Sequence, residues 1–371
     1  MNQPPRYNQC LEGQSDAEAE FLNECSAKRL HHAWLICGPK GIGKATLAYR
    51  MSRYILVRGV HDTDENSLAL DPVDNPPRQS KTIEKGTLFV DPDDPVFRRI
   101  AAGTHADFLY VERAEDQNSN KKRKDIVVAD IRSVSAFLNK TPAEGGWRVV
   151  IIDSVDDMTV NAANALLKTL EAPPKHALLL LVSHNPGKLL PTIRSRCRPL
   201  RLKQLDSDSL NELIKRYVPE EKVEEASSIV RVADGSIGRV MMLLEEDGIE
   251  ICQLVNKQLS NKQLSNIGGL DAGVIDKLGE VVVKDSTGEN FRMLWVILNH
   301  WLADMVKTTM VSGVGNRGKI SDWIDIWEET NNLFQMSESV NLDQRHVILK
   351  TFFAICAVAR GNSRASLRMD V

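Results

Sequence analysis

The chain has 371 residues, too many for one ordinary hydrophobic core, so two or three domains are expected. With 42% hydrophobic and 26% charged residues it has a globular composition, and a net charge of −3 excludes a general attraction to nucleic acid or membrane surfaces. The six cysteines are scattered without a C-x-x-C pair, so neither a zinc ribbon nor a redox motif is predicted. Scattered cysteines and a polar N-terminus predict a cytoplasmic protein.

Strands and helices alternate through the first half of the chain. The predicted elements are a helix over 15–29, a strand over 33–37, a helix over 46–56, strands over 108–111 and 148–153, a helix over 161–171 and a strand over 178–182. Residues 57–107 are predicted to form a loop-rich insertion. This alternation is typical of an α/β fold with a parallel sheet covered by helices on both faces.

A phosphate-binding loop, GPKGIGKAT, follows the first predicted strand and opens the next helix. Gly38, Gly43 and Lys44 fit the pattern G-x-x-x-x-G-K-[ST], but Ala45 stands at the position whose hydroxyl binds Mg²⁺. Thr46 comes one residue late, and because a helix turns by about 100° per residue, its hydroxyl is expected to point elsewhere. The loop therefore predicts nucleotide binding with a poorly held metal.

Asp153 ends the strand RVVIID, the usual place for a carboxylate that helps to hold Mg²⁺. A hydrolytic site of this kind normally has Glu at the next position, where this chain has Ser154. Asp156 and Asp157 follow, but they are expected to point away from the site. A strand-end cap is the alternative interpretation of Asp153.

Three further features have a functional and a structural interpretation each. Ser183–His184–Asn185 follows the next strand, where polar groups either sense a γ-phosphate or form a turn. Arg196 of the tripeptide SRC is either a guanidinium offered to a neighbouring subunit or a surface arginine like Arg194 and Arg198. Arg239 of GSIGR either reaches a phosphate or caps a contact between domains.

The rest of the chain is predicted to be helical. Residues 205–247 contain three short helical patterns, and residues 256–284, in which KQLSN occurs twice, are interpreted as a linker. Residues 285–371 carry four of the six tryptophans, which indicates a packed domain or a subunit interface.

Taken in order, the motifs GPKGIGKAT, RVVIID, NAANALLKTLEAPP, LLVSHNPGKLLPTIRSRC and GSIGR resemble the clamp-loader branch of the AAA+ proteins. Within that branch they are similar to the delta-prime subunits of bacterial DNA polymerase III. The resemblance covers about residues 10–240. It implies an AAA+ core over 1–203, a helical lid over 204–255 and, after the linker, a helical collar over 285–371 that joins five subunits in a ring.

The resemblance also implies a role in DNA replication. A delta-prime subunit contacts motor (gamma/tau) and delta subunits, acts on the sliding clamp and primer-template DNA through the complex, and offers its SRC arginine, here Arg196, to a neighbour's ATP site. The losses at Ala45 and Ser154 suit a subunit without its own ATPase activity. The residues implied for nucleotide binding are Gly38, Gly41, Gly43, Lys44, Thr46, Asp153, Ser183, Asn185 and Arg239. No zinc is expected, because residues 57–107 contain no cysteine.

Two other functions are compatible with the sequence. An active AAA+ ATPase of the gamma/tau kind is favoured by the retained Lys44 and Asp153. A DNA-binding module is less supported, because no basic face, helix-turn-helix signature or aromatic platform stands out. Whether ATP or ADP occupies the altered site stays open.

Overall fold

The computed structural model describes residues 4–27, 29–58, 86–114, 123–144, 146–245, 247–260, 270–285, 288–311, 317–340 and 342–360. The chain divides into two compact units, Met1–Leu213 and Ile214–Val371. The first unit is built on a sheet, and the elements described in the second are helices.

Five parallel strands form the sheet of the first unit, in the order β2-β3-β4-β1-β5. They are β1 (Ala33–Cys37), β2 (Phe108–Val111), β3 (Arg148–Asp153), β4 (Ala177–Ser183) and β5 (Arg198–Arg201). Cys37 lies beside Ser183 and Asp153 beside Val182, so β1, β3 and β4 end together. Ligands of α/β proteins bind at this carboxyl edge.

Helices cover both faces of the sheet. They are α1 (Ser15–Ser26), α2 (Lys44–Arg58), α3 (Pro95–Ala101), α4 (Val128–Leu138), α5 (Val160–Glu171) and α6 (Pro191–Arg194). Helix α7 (Ser207–Tyr217) follows β5 in the chain, and its last turn enters the second unit. Because side chains alternate along a strand, Trp34 and Ile36 pack in one core with α1 and α2, while Leu35 and Cys37 pack in another with α4 and α5. The predicted fold class, an α/β fold with a parallel sheet, is confirmed.

Some elements in the described part of this unit were not predicted from the sequence, among them one strand and two α-helices. β5 has an arginine at each end and Pro199 in its interior, and among the described strands it pairs with β1 alone, as an edge strand that tolerates proline. Helix α4 was not predicted. The third, α3, lies in the insertion predicted to be loop-rich, where the Asp94 side chain caps it by accepting a hydrogen bond from the Val96 amide at 2.7 Å. Residues 59–85 of that insertion lie outside the described residues.

The second unit contains α8 (Val223–Ala233), α9 (Ile237–Leu244), α10 (Gly248–Gln258), α11 (Ala272–Lys284), α12 (Glu289–Val311), α13 (Arg317–Val340) and α14 (Gln344–Ala359). Helix α11 lies in the stretch interpreted as a linker, 256–284, for which no helix was predicted. It is capped by Asp271, and its buried Val274, Leu278 and Val282 recur at helical spacing, which makes it part of the core. The second KQLSN copy, 262–266, lies outside the described residues.

The predicted tryptophan-rich region is well packed. Trp295 donates a hydrogen bond from its indole nitrogen to Asn331 at 3.1 Å, and Trp327 donates one to Asn299. Trp301 and Trp323 meet edge to face, with ring centroids 5.8 Å apart. The division of the helical part into lid, linker and collar domains stays a prediction. Over the described ranges, no helix is both long and apolar enough to cross a membrane.

Candidate functional site

The glycine loop lies between β1 and α2, at the carboxyl edge of the sheet. Gly38, Gly41 and Gly43 all have positive φ angles, of 149°, 82° and 99°. A Cβ atom on Gly38 would lie 2.9 Å from the Leu202 carbonyl oxygen, so the main chain passes too closely there for any side chain. The loop is thus held in a shape that only glycine permits, and its amides precede a helix N-terminus, a typical phosphate site.

Lys44 is almost completely buried, with 3% of its surface exposed. Its ammonium group donates hydrogen bonds to the main-chain carbonyls of Gly38, at 2.6 Å, and Pro39. Burial lowers the pKa of Lys44 from 10.5 to about 8, and the carboxylates of Asp153 and Asp156 partly oppose this shift. The Lys44 ammonium group therefore lies within the loop that the sequence predicts to bind phosphate.

The two residues after Lys44 complete the description of the loop. Ala45 offers no hydroxyl group. Thr46 is 6% exposed and lies in the first turn of α2. Its predicted nucleotide contact stays a prediction.

Asp153 ends β3, and Tyr110 of β2 donates a hydrogen bond from its hydroxyl to the Asp153 carboxylate at 3.4 Å. The ring of Tyr49, on α2, packs against Tyr110 with centroids 5.5 Å apart. Burial raises the pKa of Asp153, while the charge of Lys44 and the bond from Tyr110 act in the opposite direction. Tyr110 was not recognised from the sequence, although β2 and β3 could have been expected to pair and bring it close.

Asp156 corrects the expectation that it points away from the site. Its carboxylate accepts four hydrogen bonds: from the Ser183 hydroxyl at 2.8 Å, the His184 amide at 2.5 Å, the Asn185 amide at 3.2 Å and the Ser154 hydroxyl at 3.1 Å. One short 3₁₀ turn, Val155–Asp157, places it there. Asp156 thus ties the end of β3 to the end of β4.

This arrangement brings together several predicted site residues. Ser183 and Asn185 both donate hydrogen bonds to the Asp156 carboxylate. Lys44 lies close enough to Asp153 and Asp156 for their negative charges to raise its pKa. Ser154, at the position where a hydrolytic site has Glu, donates a hydrogen bond to Asp156. A hydroxyl donor cannot serve as the carboxylate that polarises an attacking water.

Arg196 lies on a corner between α6 and β5. The corner is anchored by Ile193 and Cys197, which are 0% and 6% exposed, and the Arg196 amide bonds to the Ile193 carbonyl at 3.1 Å. The Arg196 side chain is 35% exposed and forms an ion pair with Glu171 at 2.9 Å. Glu171 was not recognised from the sequence, because the pair depends on how α5 packs beside this corner.

The neighbouring arginines have different surroundings. Arg198 pairs with Glu20 at 3.3 Å and with Glu24 at 3.1 Å, and its guanidinium lies 5.1 Å from the centre of the Trp34 ring. Arg194 is exposed at the end of α6. Arg198 therefore has a structural role.

Arg239 belongs to the second unit. Its amide donates to the Ser236 hydroxyl, which caps α9, at 3.1 Å, and its guanidinium lies 3.6 Å from the Asp234 carboxylate. The predicted contact of Arg239 with a phosphate stays a prediction. In the part of the chain that the structure describes, no three potential metal ligands among His, Cys, Asp and Glu cluster together.

The fold and the glycine loop place the first unit among P-loop proteins, and comparison with known proteins narrows the class. The profile of the family described as "DNA polymerase III, delta subunit" matches residues 78–206. DNA polymerase III subunit delta' of Pseudomonas aeruginosa is 32% identical over 205 residues, 55% of this chain and 53% of that protein. Subunit tau of Salmonella typhimurium is 28% identical over 281 residues, 73% of this chain and 38% of that protein.

Among solved structures, a DNA polymerase III gamma subunit-related protein of Thermotoga maritima is similar at 16% identity and a TM-score of 0.40, covering 94% of this chain and all of that one. The chain spans about half or less of the two curated relatives described above, at 53% and 38% of their lengths. The family match and the delta' match support a delta-prime-like protein of the clamp-loader family. The predicted resemblance to subunits of this kind is confirmed.

Proposed function

We propose that this chain is a delta-prime-like subunit of a DNA polymerase III clamp loader that hydrolyses little or no ATP itself. It supports ATP-dependent loading of the sliding clamp during replication. Its partners are the motor (gamma/tau) and delta subunits, and it acts on the clamp and on primer-template DNA through the complex. Its chemical contribution is Arg196, which completes the ATP site of a neighbouring subunit.

One observation carries this proposal: the glycine loop retains the shape of a phosphate site, but the hydroxyl and the carboxylate that hydrolysis needs beside it are missing. Gly38, Gly43 and Lys44 keep the cradle, but position 45 has no hydroxyl, and Ser154 donates its hydrogen bond to Asp156. Removing one positioned catalytic group commonly lowers a rate by about two to four orders of magnitude, so two losses favour a subunit without hydrolysis.

We further propose that the loop binds ATP or ADP and holds Mg²⁺ weakly. The glycine amides and Lys44 fit a polyphosphate. Asp153 is the carboxylate available to a metal, and Ala45 supplies no second ligand. Ser183 and Asn185 contribute to nucleotide binding through the loop that Asp156 fixes, and Arg239 through the second unit.

The test uses this chain reconstituted with the motor and delta subunits of the same organism. DNA- and clamp-stimulated ATP turnover is measured for wild type, Arg196→Ala and the matched control Arg194→Ala, with complex assembly checked by gel filtration. A finger supplied in trans is typically worth about 10³ to 10⁵ in rate at its site. We expect a large loss for Arg196→Ala and none for Arg194→Ala, whereas equal turnover in all three would contradict the proposal.

A second candidate function is an active ATPase of the gamma/tau kind. It is favoured by the retained Lys44 and Asp153 and by the match to subunit tau, which covers 73% of this chain. Turnover by the purified chain that disappears in Lys44→Ala would establish it. Turnover at the background level, unchanged in Lys44→Ala, would exclude it.

A further inference from the structure

Glu171, the last residue of α5, is the carboxylate that faces Arg196. Its Oε1 lies 2.9 Å from the Arg196 Nη2 atom. On the other side of the guanidinium, Nη1 donates a hydrogen bond to the Thr192 carbonyl at 3.0 Å. Two acceptors on two different nitrogens define both the position and the plane of the guanidinium.

The stability of helix α5 does not explain an acidic residue at this position. The C-terminal end of a helix carries a partial negative charge, so a carboxylate there is unfavourable. Lys168, one turn earlier, is the residue type that favours such an end. Glu171 is thus better explained by the guanidinium in front of it than by the helix that carries it.

Both halves of the pair stand on rigid backbone. Helix α5 is anchored through Leu166 and Leu170, which are 0% and 2% exposed, and the arginine corner is anchored through Ile193. The pair itself remains accessible, with 52% of the Glu171 side chain and 35% of the Arg196 side chain exposed. A neighbouring molecule can therefore reach the guanidinium without displacing the core.

The pairing of Arg196 differs from that of Arg198. Arg198 has two carboxylates and the Trp34 ring, and so has a structural role. Among the described residues, Arg196 contacts one carboxylate and one carbonyl, which engage two nitrogens of a group that has five N–H donors. N–H groups thus remain available for a phosphate oxygen.

We infer that Glu171 is a positioning residue for Arg196: it holds the guanidinium so that its remaining N–H groups face the terminal phosphate of a nucleoside triphosphate bound by the adjacent subunit. This inference rests on the proposed function. A displacement of about 1 Å in a reacting group can lower a rate about 10²-fold, which gives the scale of the effect of losing the ion pair.

The experiment uses the reconstituted complex and compares wild type with Glu171→Gln, Glu171→Asp, Arg196→Ala and the double variant Glu171→Gln/Arg196→Ala. Glu24→Gln, which removes one ion pair of Arg198, is the matched control. We expect kcat for ATP to fall about 10- to 100-fold in Glu171→Gln with KM little changed, and to recover in part in Glu171→Asp. The Glu24→Gln variant should turn over at the wild-type rate.

The double variant separates positioning from a general structural role. If Glu171 acts through Arg196, Glu171→Gln has no further effect once Arg196 is alanine. Three results would each overturn the inference. One is an equal loss in both backgrounds, another is a wild-type rate in Glu171→Gln, and the third is a faster rate in Glu171→Gln, which would mean that the carboxylate holds the arginine back. The last two results leave the proposed function standing if Arg196→Ala is still slow, whereas a wild-type rate in Arg196→Ala overturns both.

Discussion

Lys44 and Arg196 are the two cations of the first unit with a proposed phosphate role, and they are held differently. Lys44 is 3% exposed and donates to carbonyls of its own loop, whereas the Arg196 side chain is 35% exposed on a corner. The surroundings differ in the same way. Asp153 and Asp156 lie at the carboxyl edge of the sheet, called the strand edge below, and accept hydrogen bonds from neighbouring strands and loops. Arg196 forms one ion pair within the described part of the chain.

This difference indicates which of the two sites can take part in a reaction cycle. Groups that already satisfy one another, as Asp156 and Ser183 do, fix the strand edge in one arrangement. An exposed guanidinium on a rigid corner can instead meet a partner without rearrangement of its own chain. We therefore expect substitutions at the corner to change the activity of the complex, and substitutions at the strand edge to change the properties of this chain.

The largest expected effect comes from substituting the two cations in the same complex. Arg196→Ala should lower ATP turnover at the neighbouring site by about 10³-fold or more. Lys44→Ala should leave turnover of the complex within about twofold of wild type, because this site is proposed not to hydrolyse. Steady-state turnover measured side by side, with single-turnover kinetics to isolate the affected site, checks both. A large loss of turnover in Lys44→Ala with the complex intact would show that this chain's own loop takes part in catalysis, contrary to the prediction.

The second prediction tests whether the strand edge can be returned to catalysis. Ala45→Ser together with Ser154→Glu restores a hydroxyl for Mg²⁺ and a carboxylate for water. We expect ATP turnover by the purified chain to rise about 10-fold or more above wild type, since each such group commonly contributes about two orders of magnitude or more. Adding Lys44→Ala should abolish the gain. If the double variant binds nucleotide but gains nothing, the site is misshapen elsewhere.

The third prediction concerns stability at the strand edge. Asp156→Ala leaves the buried hydroxyls of Ser183 and Ser154 without their acceptor, and we expect the free energy of unfolding to fall by about 3 kcal/mol. Asp157→Ala is the matched control, because Asp157 forms a partly exposed ion pair with Arg113 at 3.3 Å, worth less than about 1 kcal/mol. Urea unfolding of the two variants provides the comparison. If the two variants lose the same unfolding free energy, the hydrogen bonds to Asp156 contribute no more to stability than the ion pair of Asp157.

Sequence reasoning was most successful where one local pattern suffices. Strands β2 and β3 were predicted with the bounds that the structure has, because short apolar runs of this length are typical of strands. Glycines and a lysine at fixed spacing located the loop in the same way. These features are set by residues that are close together in the chain.

Several of the errors and omissions at the candidate site depend on contacts between distant segments. Asp156 was expected to point away because it follows the end of the strand, but a 3₁₀ turn directs it to Ser183, 27 positions later. Tyr110 reaches Asp153 only through the pairing of β2 with β3, and Glu171 reaches Arg196 only through the packing of α5. Helix α11 was missed because the glycines and repeat before it dominated the composition of the predicted linker.

The smallest expected effect is a pH dependence at Lys44. Because burial lowers its pKa from 10.5 to about 8, the side chain is charged below pH 8 and becomes neutral as the pH rises through that value. A neutral amine attracts a phosphate less, so we expect ADP affinity to weaken several-fold between pH 7 and pH 9. Lys44→Met should bind more weakly and show a flatter profile over the same range.

The lowered pKa of Lys44 weakens ADP binding as the pH rises but increases the free energy of unfolding. These opposite trends allow the titration to be assigned to Lys44. Between pH 8 and pH 10.5 the unfolded chain retains a proton that the folded chain has released from Lys44, so this residue makes the free energy of unfolding rise with pH in that window. The difference in unfolding free energy between wild type and Lys44→Met should therefore shift in favour of wild type as the pH increases. Isothermal titration of ADP and urea unfolding, each at pH 7, 8 and 9, measure the two trends. A decline in affinity that persists in Lys44→Met would assign the titration to another group.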